Sequence, residues 1–508
     1  MTRVAVATTS ALAADAARQI SAAGGNAVDC AIGAALASMN TQPGVCALAG
    51  GAYVTVWAPG CDPVTVDGNH AATGRGLAEE ARGQGAVPAT MSYGGGISTL
   101  VGAGAVAIPG ALAALDCAWT RYGNVAWSEL FAPTIDAARN GFPLASSCFY
   151  YLNYSDEVIF SRSADGYAAL HHDDGRLKEV GDPIIIPHLA DSLQAIADDG
   201  ADVFYKGELA RAISNHVREG GGALTMADME NCRAVERPAI VSQVGDWQIA
   251  TNPPPAVGGA VLSAMLLACA TLPDDRWSQA SLAQLIHAQR ACLDFRRDNL
   301  DLADDVGAEA ARLISAARNG RIMTNWSSSS TVHTSAVDDN GLGCAITASA
   351  GYGSGEMPAG TGLWLNNGLG EIELNRRGLV AGEPGTPLPS NMAPSVARGH
   401  GEVIAIGSPG ADRITTALHQ VIVNLVEMDM SLEDAISHSR VHVDTSGEFD
   451  RLCAEPKLDL PETDLPVTQF DELNMYFGGV GVALFNDTTG FEVASDPRRE
   501  GGTSISDS

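Results

Sequence analysis

Residues 327–349 have the sequence SSSSTVHTSAVDDNGLGCAITAS, and the pattern of two segments in this stretch predicts β-strands. Residues 331–337 and 344–349 alternate with the period of two that is typical of a β-strand. Asp338-Asp339-Asn340-Gly341 between them is typical of a hairpin connection. Four serines stand directly before the first strand. They predict either a flexible loop joining two domains or a site at which the chain is processed.

Helical and strand patterns alternate on both sides of this hairpin. The elements predicted in chain order are helices at 10–23 and 26–37, strands at 54–57 and 64–66, a glycine-rich loop region at 68–104, mostly helices at 109–317, a strand at 402–406 and a helix from about Arg413. With 56 glycines and few aromatic residues, the composition is typical of an α/β or α+β chain rather than a helical bundle.

The composition is that of a large acidic globular protein. The 508 residues include 60 Asp and Glu against 30 Lys and Arg, giving a formal net charge of −30, and 46% of the residues are hydrophobic. An acidic surface repels phosphate backbones and anionic lipids, so nucleic-acid binding is not expected. The acidity is consistent with solubility in a salty medium or with attraction of a cationic substrate.

Membrane insertion, export and metal binding are not expected. The most apolar stretch, residues 260–272, is shorter than the ~20 residues of a membrane-spanning helix. The first ten residues lack the apolar run of a signal peptide, and the ten cysteines include no Cys-x-x-Cys pair. We therefore expect a soluble cytoplasmic protein with reduced thiols. The histidines, His70 among them, do not have metal-ligand spacing, so neither a metal nor another cofactor is expected.

Several short motifs lie in order along almost the whole chain. They are Gly24-Gly25-Asn26-Ala27-Val28-Asp29, Ile108-Pro109-Gly110, Phe204-Tyr205-Lys206-Gly207, Ala234-Val235-Glu236-Arg237, Pro253-Pro254-Pro255-Ala256-Val257-Gly258-Gly259, Thr331-Val332-His333-Thr334-Ser335, Leu365-Asn366-Asn367, Gly407-Ser408-Pro409-Gly410-Ala411-Asp412-Arg413 and Ala494-Ser495-Asp496-Pro497-Arg498. Together they resemble the gamma-glutamyltransferase family. The resemblance implies an α+β fold, a four-layer α-β-β-α sandwich of the N-terminal-nucleophile hydrolase type. It also implies that the precursor cuts itself between Ser330 and Thr331, giving a large subunit, residues 1–330, and a small catalytic subunit, residues 331–508.

By this resemblance Thr331 is the catalytic nucleophile. A threonine hydroxyl needs a base to remove its proton, and cleavage would free an α-amine with a reference pKa of about 8 on the same residue. The resemblance places the hydroxyls of Thr347 and Ser349 near it, with Ser349 the better candidate to orient Thr331; both could equally be solvent-facing strand residues. Gly410 and Ala411 match the glycine pair whose N–H groups form the oxyanion hole. Alanine fits the second place unless the backbone requires a positive φ.

The residues that correspond to the family's substrate site depart from its pattern. Asn69 replaces the arginine that holds the carboxylate of a glutamyl group, and an amide cannot supply the same bidentate contact. Arg75 is a candidate to replace that arginine. Ser390-Asn391 retains one serine of a pair that assists this contact, and Glu371 retains a carboxylate where the family holds the substrate ammonium.

The resemblance implies an amidohydrolase or acyltransferase. Its substrate is then a gamma-glutamyl amide, with a role in glutathione metabolism, or a different small amide, as for oxamate amidohydrolase or the cephalosporin acylases. An inactive scaffold with the same fold is the alternative from another class, but a scaffold would have little reason to keep Thr331, Ser349 and the Ser408-Pro409-Gly410 turn together. The expected partners are a small-molecule amide and the two self-derived subunits. The oligomeric state stays open, a homo-oligomer included.

Overall fold

The hairpin that begins after Thr331 lies in the middle of a seven-stranded antiparallel sheet. A computed structural model of the protein describes residues 2–92, 97–274, 276–318, 331–411, 413–445 and 449–506. Ser330 and the serine run therefore lie outside the described residues, and so does the predicted cleavage site on its upstream side.

Twenty strands and fifteen α-helices are found in these residues. The strands are β1 Val4–Thr8, β2 Gly51–Trp57, β3 Val64–Gly68, β4 Val87–Met91, β5 Ile97–Val101, β6 Phe142–Pro143, β7 Pro183–Ile184, β8 Val235–Pro238, β9 Ile240–Val244, β10 Trp247–Thr251, β11 Val332–Asp338, β12 Gly343–Ser349, β13 Ser395–Gly399, β14 Glu402–Gly407, β15 Val441–Asp444, β16 Arg451–Ala454, β17 Val467–Gln469, β18 Gly481–Asn486, β19 Gly490–Ser495 and β20 Gly502–Ile505. The helices are α1 Ala11–Ala22, α2 Ala27–Thr41, α3 Ala111–Tyr122, α4 Trp127–Asn140, α5 Ser146–Ser155, α6 Ala164–Leu170, α7 Leu189–Asp199, α8 Asp202–Tyr205, α9 Glu208–Glu219, α10 Met226–Asn231, α11 Gly258–Ala268, α12 Gln279–Phe295, α13 Val306–Arg318, α14 Arg413–Val426 and α15 Leu432–Ser437.

Two antiparallel sheets form the centre of the molecule. The first has the strand order β20-β1-β11-β12-β2-β3-β8, and the second has the order β19-β18-β14-β13-β10-β9. Strand β11 pairs with β12 in the register Val332 with Ala348 and His333 with Thr347. The two sheets face each other, since β11 of the first packs against β14 and β18 of the second.

The alternation of side chains along β11 decides what faces the second sheet. Val332 and Ala336 belong to the core shared with the helices, whereas Val337 belongs to a small-residue core between the sheets. His333 and Ser335 share the face of Val337, because successive strand residues point to opposite sides. Ser335 confirms this, since its hydroxyl donates to the carbonyl of Gly481 on β18.

Helices cover the outer faces of both sheets. Helix α2 lies against β11 and β12, and it is buried along its whole length. Asn26 and Asp29 form a capping box at its start, which satisfies N–H groups that the first turn would otherwise leave unpaired. On the other side α11 packs on β9 and α14 packs on β14. The predicted four-layer α-β-β-α sandwich, and with it the α+β class, is confirmed.

Most of the elements that the sequence predicts are present, with one clear exception. The helices at Ala11–Ala22 and Ala27–Thr41 and the hairpin at Val332–Ser349 match the prediction within a few residues. The prediction of a loop for residues 68–104 is wrong in part, because Val87–Met91 pairs with Ile97–Val101 as a hairpin. No helix in the described ranges is long and apolar enough to cross a membrane.

Residues 1–330 and 331–508, the two predicted subunits, are not separate lobes. The first sheet takes β1, β2, β3 and β8 from the first segment and β11, β12 and β20 from the second. The second sheet likewise combines β9 and β10 with β13, β14, β18 and β19. The division at Thr331 therefore stays a prediction about processing, and it does not correspond to two independently packed domains.

Candidate active site

A small cavity lies between the start of β11 and the start of α14. It is about 20 Å³ in volume, which is room for about one water molecule. Seven of the residues singled out in the sequence line it: Asn69, Thr331, Ser349, Glu371, Ser390, Asn391 and Ala411. These residues come from distant parts of the chain, so the fold brings the candidate nucleophile and the candidate substrate-binding residues into one place. We call this space the active-site cavity.

Thr331 is buried at the edge of this cavity, immediately before β11. The pairing of Val332 with Ala348 continues to place Thr331 across from Ser349 on β12. Ser349 is also buried, and its hydroxyl accepts a hydrogen bond from the Gly351 N–H at 3.1 Å. The alternative that Thr347 and Ser349 are solvent-facing is wrong, because both lie on the face that is covered by the second sheet.

Thr347 takes part in a hydrogen-bonded chain below the cavity and does not line the cavity itself. His333 Nδ1 lies 2.8 Å from the Thr347 hydroxyl, and His333 Nε2 lies 2.7 Å from the Ser335 hydroxyl. Ser335 donates its own hydrogen to Gly481, so its oxygen accepts from His333 Nε2–H. His333 Nδ1 then accepts from Thr347. Burial lowers the pKa of His333 to about 3, which keeps the ring in this neutral form at neutral pH.

His333 also packs against the strand that leads to the candidate oxyanion hole. A Cβ atom at Gly407, the last residue of β14, would lie 2.1 Å from Cε1 of the His333 ring. Only glycine therefore allows β14 to approach β11 this closely. Gly407 is three residues before Gly410, so the His333 ring contributes to the spacing between the strand of the candidate nucleophile and the candidate oxyanion turn.

Gly410 and Ala411 form a turn with positive φ angles directly before α14. Their φ angles are 126° and 69°. A Cβ atom at Gly410 would lie 2.8 Å from Gly478 Cα, so a side chain does not fit there. Among the described residues, no backbone acceptor pairs with the N–H group of either residue. Two free donors at a helix N-terminus are suited to stabilise a developing oxyanion.

Ala411 has a positive φ, the left-handed conformation that favours glycine and that alanine adopts only with strain. An L-residue other than glycine at φ near 69° is strained by about 1–2 kcal/mol. The residue is nevertheless buried and lines the active-site cavity. The turn thus has the backbone shape that the resemblance leads one to expect of a glycine pair, with alanine in the second place.

The candidate substrate-binding residues lie at the other end of the cavity. Glu371 is buried, and a Cβ atom at Gly351 would come within 2.8 Å of its Oε2 atom, so glycine makes room for this carboxylate. The Ser390 carbonyl accepts from the N–H groups of Val257 and Gly258, both at 3.0 Å, which ties it to the start of α11. The Asn391 Nδ2 atom is buried and has no partner in the described part of the chain.

The described lining residues of the cavity include no cation where the resemblance leads one to expect an arginine. Asn69 lines it and donates from Nδ2 to the Leu388 carbonyl at 2.9 Å. Arg75 is exposed and does not line the cavity; its guanidinium reaches the Pro384 carbonyl at 3.3 Å. Among the described lining residues there is neither Lys nor Arg. In this conformation Arg75 does not occupy the position of a carboxylate-binding arginine.

His70 is a lining residue that the sequence did not single out as a site residue. It is buried beside Asn69, and burial lowers its pKa to about 4, so the ring is neutral at neutral pH. Its Nε2 atom has no partner within the described residues. Adjacency to Asn69 in the sequence was the available signal. No group of three or more His, Cys, Asp or Glu side chains suited to a metal ion is found in the described ranges.

Comparison with known proteins gives a consistent result. A family model described as gamma-glutamyltranspeptidase matches residues 13–506. The glutathione hydrolase proenzyme of Pseudomonas aeruginosa is 29% identical over 84% of this chain and 80% of its own length. The acylase ACY 1 proenzyme of Pseudomonas sp. strain SE83 is 28% identical over 85% and 80% of the two chains. The solved cephalosporin acylase from Bacillus halodurans is 22% identical, with a TM-score of 0.79 over 99% of this chain and 96% of that one, and it is similar in fold.

Proposed function

Because the chain belongs to the gamma-glutamyltranspeptidase family and is thus an N-terminal-nucleophile hydrolase or transferase, we propose that it cuts itself before Thr331 and then cleaves a small amide with that residue. The observation that carries the proposal is that Thr331, Ser349 and Ala411 share one buried cavity. A nucleophile, a neighbouring hydroxyl and backbone donors are the groups that acyl transfer requires.

Self-cleavage uses the same hydroxyl on the chain's own peptide bond. The Thr331 hydroxyl oxygen attacks the Ser330 carbonyl carbon, the C–N bond breaks, and the nitrogen takes up the hydroxyl proton and leaves as the α-amine of Thr331. Water then hydrolyses the Ser330 ester. The products are residues 1–330 with a new carboxylate and residues 331–508 with a free amine. That amine has a reference pKa of about 8 and is on the same residue as the hydroxyl, so it can accept the hydroxyl proton in later turnovers.

Turnover repeats the same steps on an external amide. The Thr331 oxygen attacks the substrate carbonyl carbon while the α-amine takes up its proton. The N–H groups of Gly410 and Ala411 stabilise the negative oxygen, and losing one such donor typically costs about 3–4 kcal/mol. The amine product leaves with the proton, and the acyl group remains as an ester on Thr331. Water completes hydrolysis, and a second amine in its place completes transfer.

The cavity favours an acyl group without a free carboxylate beside the Asn69 position. A carboxylate buried there would have neither a lysine nor an arginine among the described lining residues, and an unpaired buried charge is strongly unfavourable. The second candidate is a gamma-glutamyl amide. Glu371 favours it, because a buried carboxylate in the same cavity is suited to hold a substrate ammonium.

The test is whether the purified chain matures and whether Thr331 is required. Wild type and Thr331→Ser, which keeps a hydroxyl, should separate on a denaturing gel into two chains, the smaller starting at residue 331 by mass spectrometry. Thr331→Ala should stay full-length and inactive on a panel of gamma-glutamyl and other small amides. A smaller chain that starts elsewhere would refute the assignment. A single inactive chain in all three proteins would instead support a scaffold.

A further inference from the structure

A second, much larger cavity adjoins the active-site cavity. It has a volume of about 520 Å³, and we call it the outer cavity. Leu388 and Pro389 line both cavities and form the wall between them. The turn after Glu371 also connects them, since Leu374 lines the active-site cavity and Asn375 lines the outer one. A substrate group larger than the active-site cavity can therefore extend over this wall.

The outer cavity combines an apolar floor with an acidic rim. Its floor includes Pro254, Leu300 and Leu388. Asp301 is buried in its wall and paired with Arg296, and the exposed rim carries the carboxylates of Asp304 and Asp305 against the guanidinium of Arg377. The Arg377 guanidinium already donates hydrogen bonds to the Ala303 carbonyl at 2.7 Å and to the Asp304 carboxylate at 3.3 Å. Such a lining attracts a cation that has an apolar body.

Two buried acceptor oxygens among the lining residues have no donor. Asn375 gives its Nδ2 hydrogens to the carbonyls of Leu369 and Gly378, at 3.0 and 2.9 Å, which fixes Oδ1 as an acceptor. Asp301 accepts from Arg296 Nε at 3.0 Å through Oδ1. In the described part of the chain, neither Asn375 Oδ1 nor Asp301 Oδ2 has a partner. A buried acceptor without a donor is unfavourable, so a ligand that brings N–H groups would gain from both.

The position of Thr331 indicates which half of an amide faces the outer cavity. Thr331 also lines a third cavity on its other side, which includes Gln42 and Arg499 and shares no lining residue with the outer cavity. The two halves of an amide attacked by Thr331 must leave it in different directions. We assign the acyl half to the active-site cavity, because Glu371 there is the candidate residue for holding the acyl donor, and this is the half that adjoins the outer cavity.

We propose that the acyl group of the substrate extends past Leu388 and Pro389 and places a cationic amine in the outer cavity, beside Asp301, Asn375 and the rim carboxylates. This inference rests on the proposed function, since it takes Thr331 as the nucleophile. The substrate class is then an amide of an acid that carries a terminal amine at the end of an apolar chain. The active-site cavity alone, with room for about one water molecule, does not accommodate such a chain.

The experiment compares three para-nitroanilides with the matured enzyme, those of aminohexanoic, heptanoic and acetic acid. The acyl chains of the first two have the same length, and one ends in an ammonium group where the other ends in a methyl group. The third is too short to reach the outer cavity. We expect kcat/KM for the aminohexanoyl anilide to exceed that for the heptanoyl anilide by about tenfold. This is the contribution expected from a charged hydrogen bond between the ammonium and the outer cavity. Replacing Asp304 and Asp305 together by Asn should lower this ratio at least about threefold, and Asn can retain the cap that Asp305 provides to Ala308 N–H.

A steric block gives an independent readout. Gly307 lines the outer cavity, and a Cβ atom there would meet only Asp305 Oδ1, at 3.3 Å. Gly307→Trp should lower kcat/KM for the aminohexanoyl anilide about tenfold and leave the acetyl anilide within about twofold. Ala308→Trp is the matched control, because Ala308 is exposed on the same helix but does not line the cavity, and it should change neither substrate.

The two levels of the proposal fail in different ways. Turnover of the acetyl anilide without a preference for the ammonium chain, or a Gly307→Trp effect that is equal on all three anilides, would overturn the outer-cavity inference alone. An uncut chain that turns over none of the three anilides would overturn the proposed function, and this inference with it.

Discussion

Replacing His333 by glutamine should remove about one third of the acid sensitivity that the buried histidines give the fold. Burial lowers the pKa of His333 from 6.5 to about 3, so the native ring stays neutral where the unfolded ring is protonated. The unfolded chain therefore binds one more proton than the native protein between these two pKa values. The free energy of unfolding falls as the pH falls through this window, and it is unaffected by this residue above about pH 7.5.

The size of the effect follows from the two pKa values. At about pH 5, His333 alone lowers the free energy of unfolding by about 2 kcal/mol relative to neutral pH. His70 and His419 are buried in the same way, with pKa values lowered to about 4 and about 3, and add losses of similar size. Glutamine cannot be protonated in this range, so His333→Gln should remove about one third of the total.

The substitution also has an effect that does not depend on pH. Glutamine can donate to Ser335 in place of His333 Nε2–H, but it leaves the Thr347 hydroxyl without its acceptor, which costs about 1–3 kcal/mol at every pH. The quantity to compare is therefore the difference between two pH values in each protein. A lower stability of the variant at a single pH would not test the prediction.

The measurement is guanidinium unfolding at about pH 7.5 and about pH 5, followed by tryptophan fluorescence. A Thr331→Ala background keeps the chain in one piece, so that unfolding stays unimolecular. The loss between the two pH values should be about 2 kcal/mol smaller with His333→Gln than without it. His400→Gln, at a side chain that is 59% exposed, is the control and should leave the loss unchanged. An equal loss with and without His333 would refute the argument.

Three further predictions concern substrate binding and the oxyanion turn. Glu371→Gln should raise KM about tenfold for a substrate whose amine lies in the active-site cavity, as in a gamma-glutamyl amide, and an unchanged KM for such a substrate would mean that the carboxylate does not contact it. Gamma-glutamyl anilides should be poor substrates that improve with Asn69→Arg and are indifferent to Arg75→Ala; vigorous wild-type activity that Arg75→Ala abolishes would contradict this. Gly410→Ala places a Cβ atom 2.8 Å from Gly478 Cα and should lower kcat at least about a hundredfold with little change in KM. If steady-state kinetics showed an unchanged kcat, the assignment of the oxyanion hole would be wrong.

The elements that could be predicted from the sequence are those with local signals. The hairpin of β11 and β12 follows from alternation on both sides of a turn sequence, and the start of α2 follows from Asn26 as its cap. The candidate site residues Thr331, Ser349 and Glu371 are predicted from the order of motifs along the chain. The structure adds that these distant residues line one cavity.

What could not be predicted depends on packing between distant segments. His333 carries no local sign that its ring lies against Gly407, because that contact exists only once the two sheets face each other. The same holds for His70, whose burial and neutral ring depend on residues far along the chain. The positive φ of Ala411 could not be predicted from the sequence, since alanine itself does not favour this conformation. The strands in the glycine-rich region lacked a clear alternation, so their pairing was missed.

The interleaving of strands from both sides of Thr331 has a consequence for the lifetime of the protein. After the cleavage before Thr331 that we propose, neither piece retains a complete sheet to fold upon, because β11 and β12 need β1 and β2 as neighbours. Refolding of the cut protein then requires two chains to meet and interdigitate, whereas the precursor folds as one. The persistence of the cut form is therefore governed by the height of its unfolding barrier rather than by an equilibrium between folded and unfolded states. Only the uncut chain can then fold efficiently, and heat or denaturant should inactivate the cut form irreversibly.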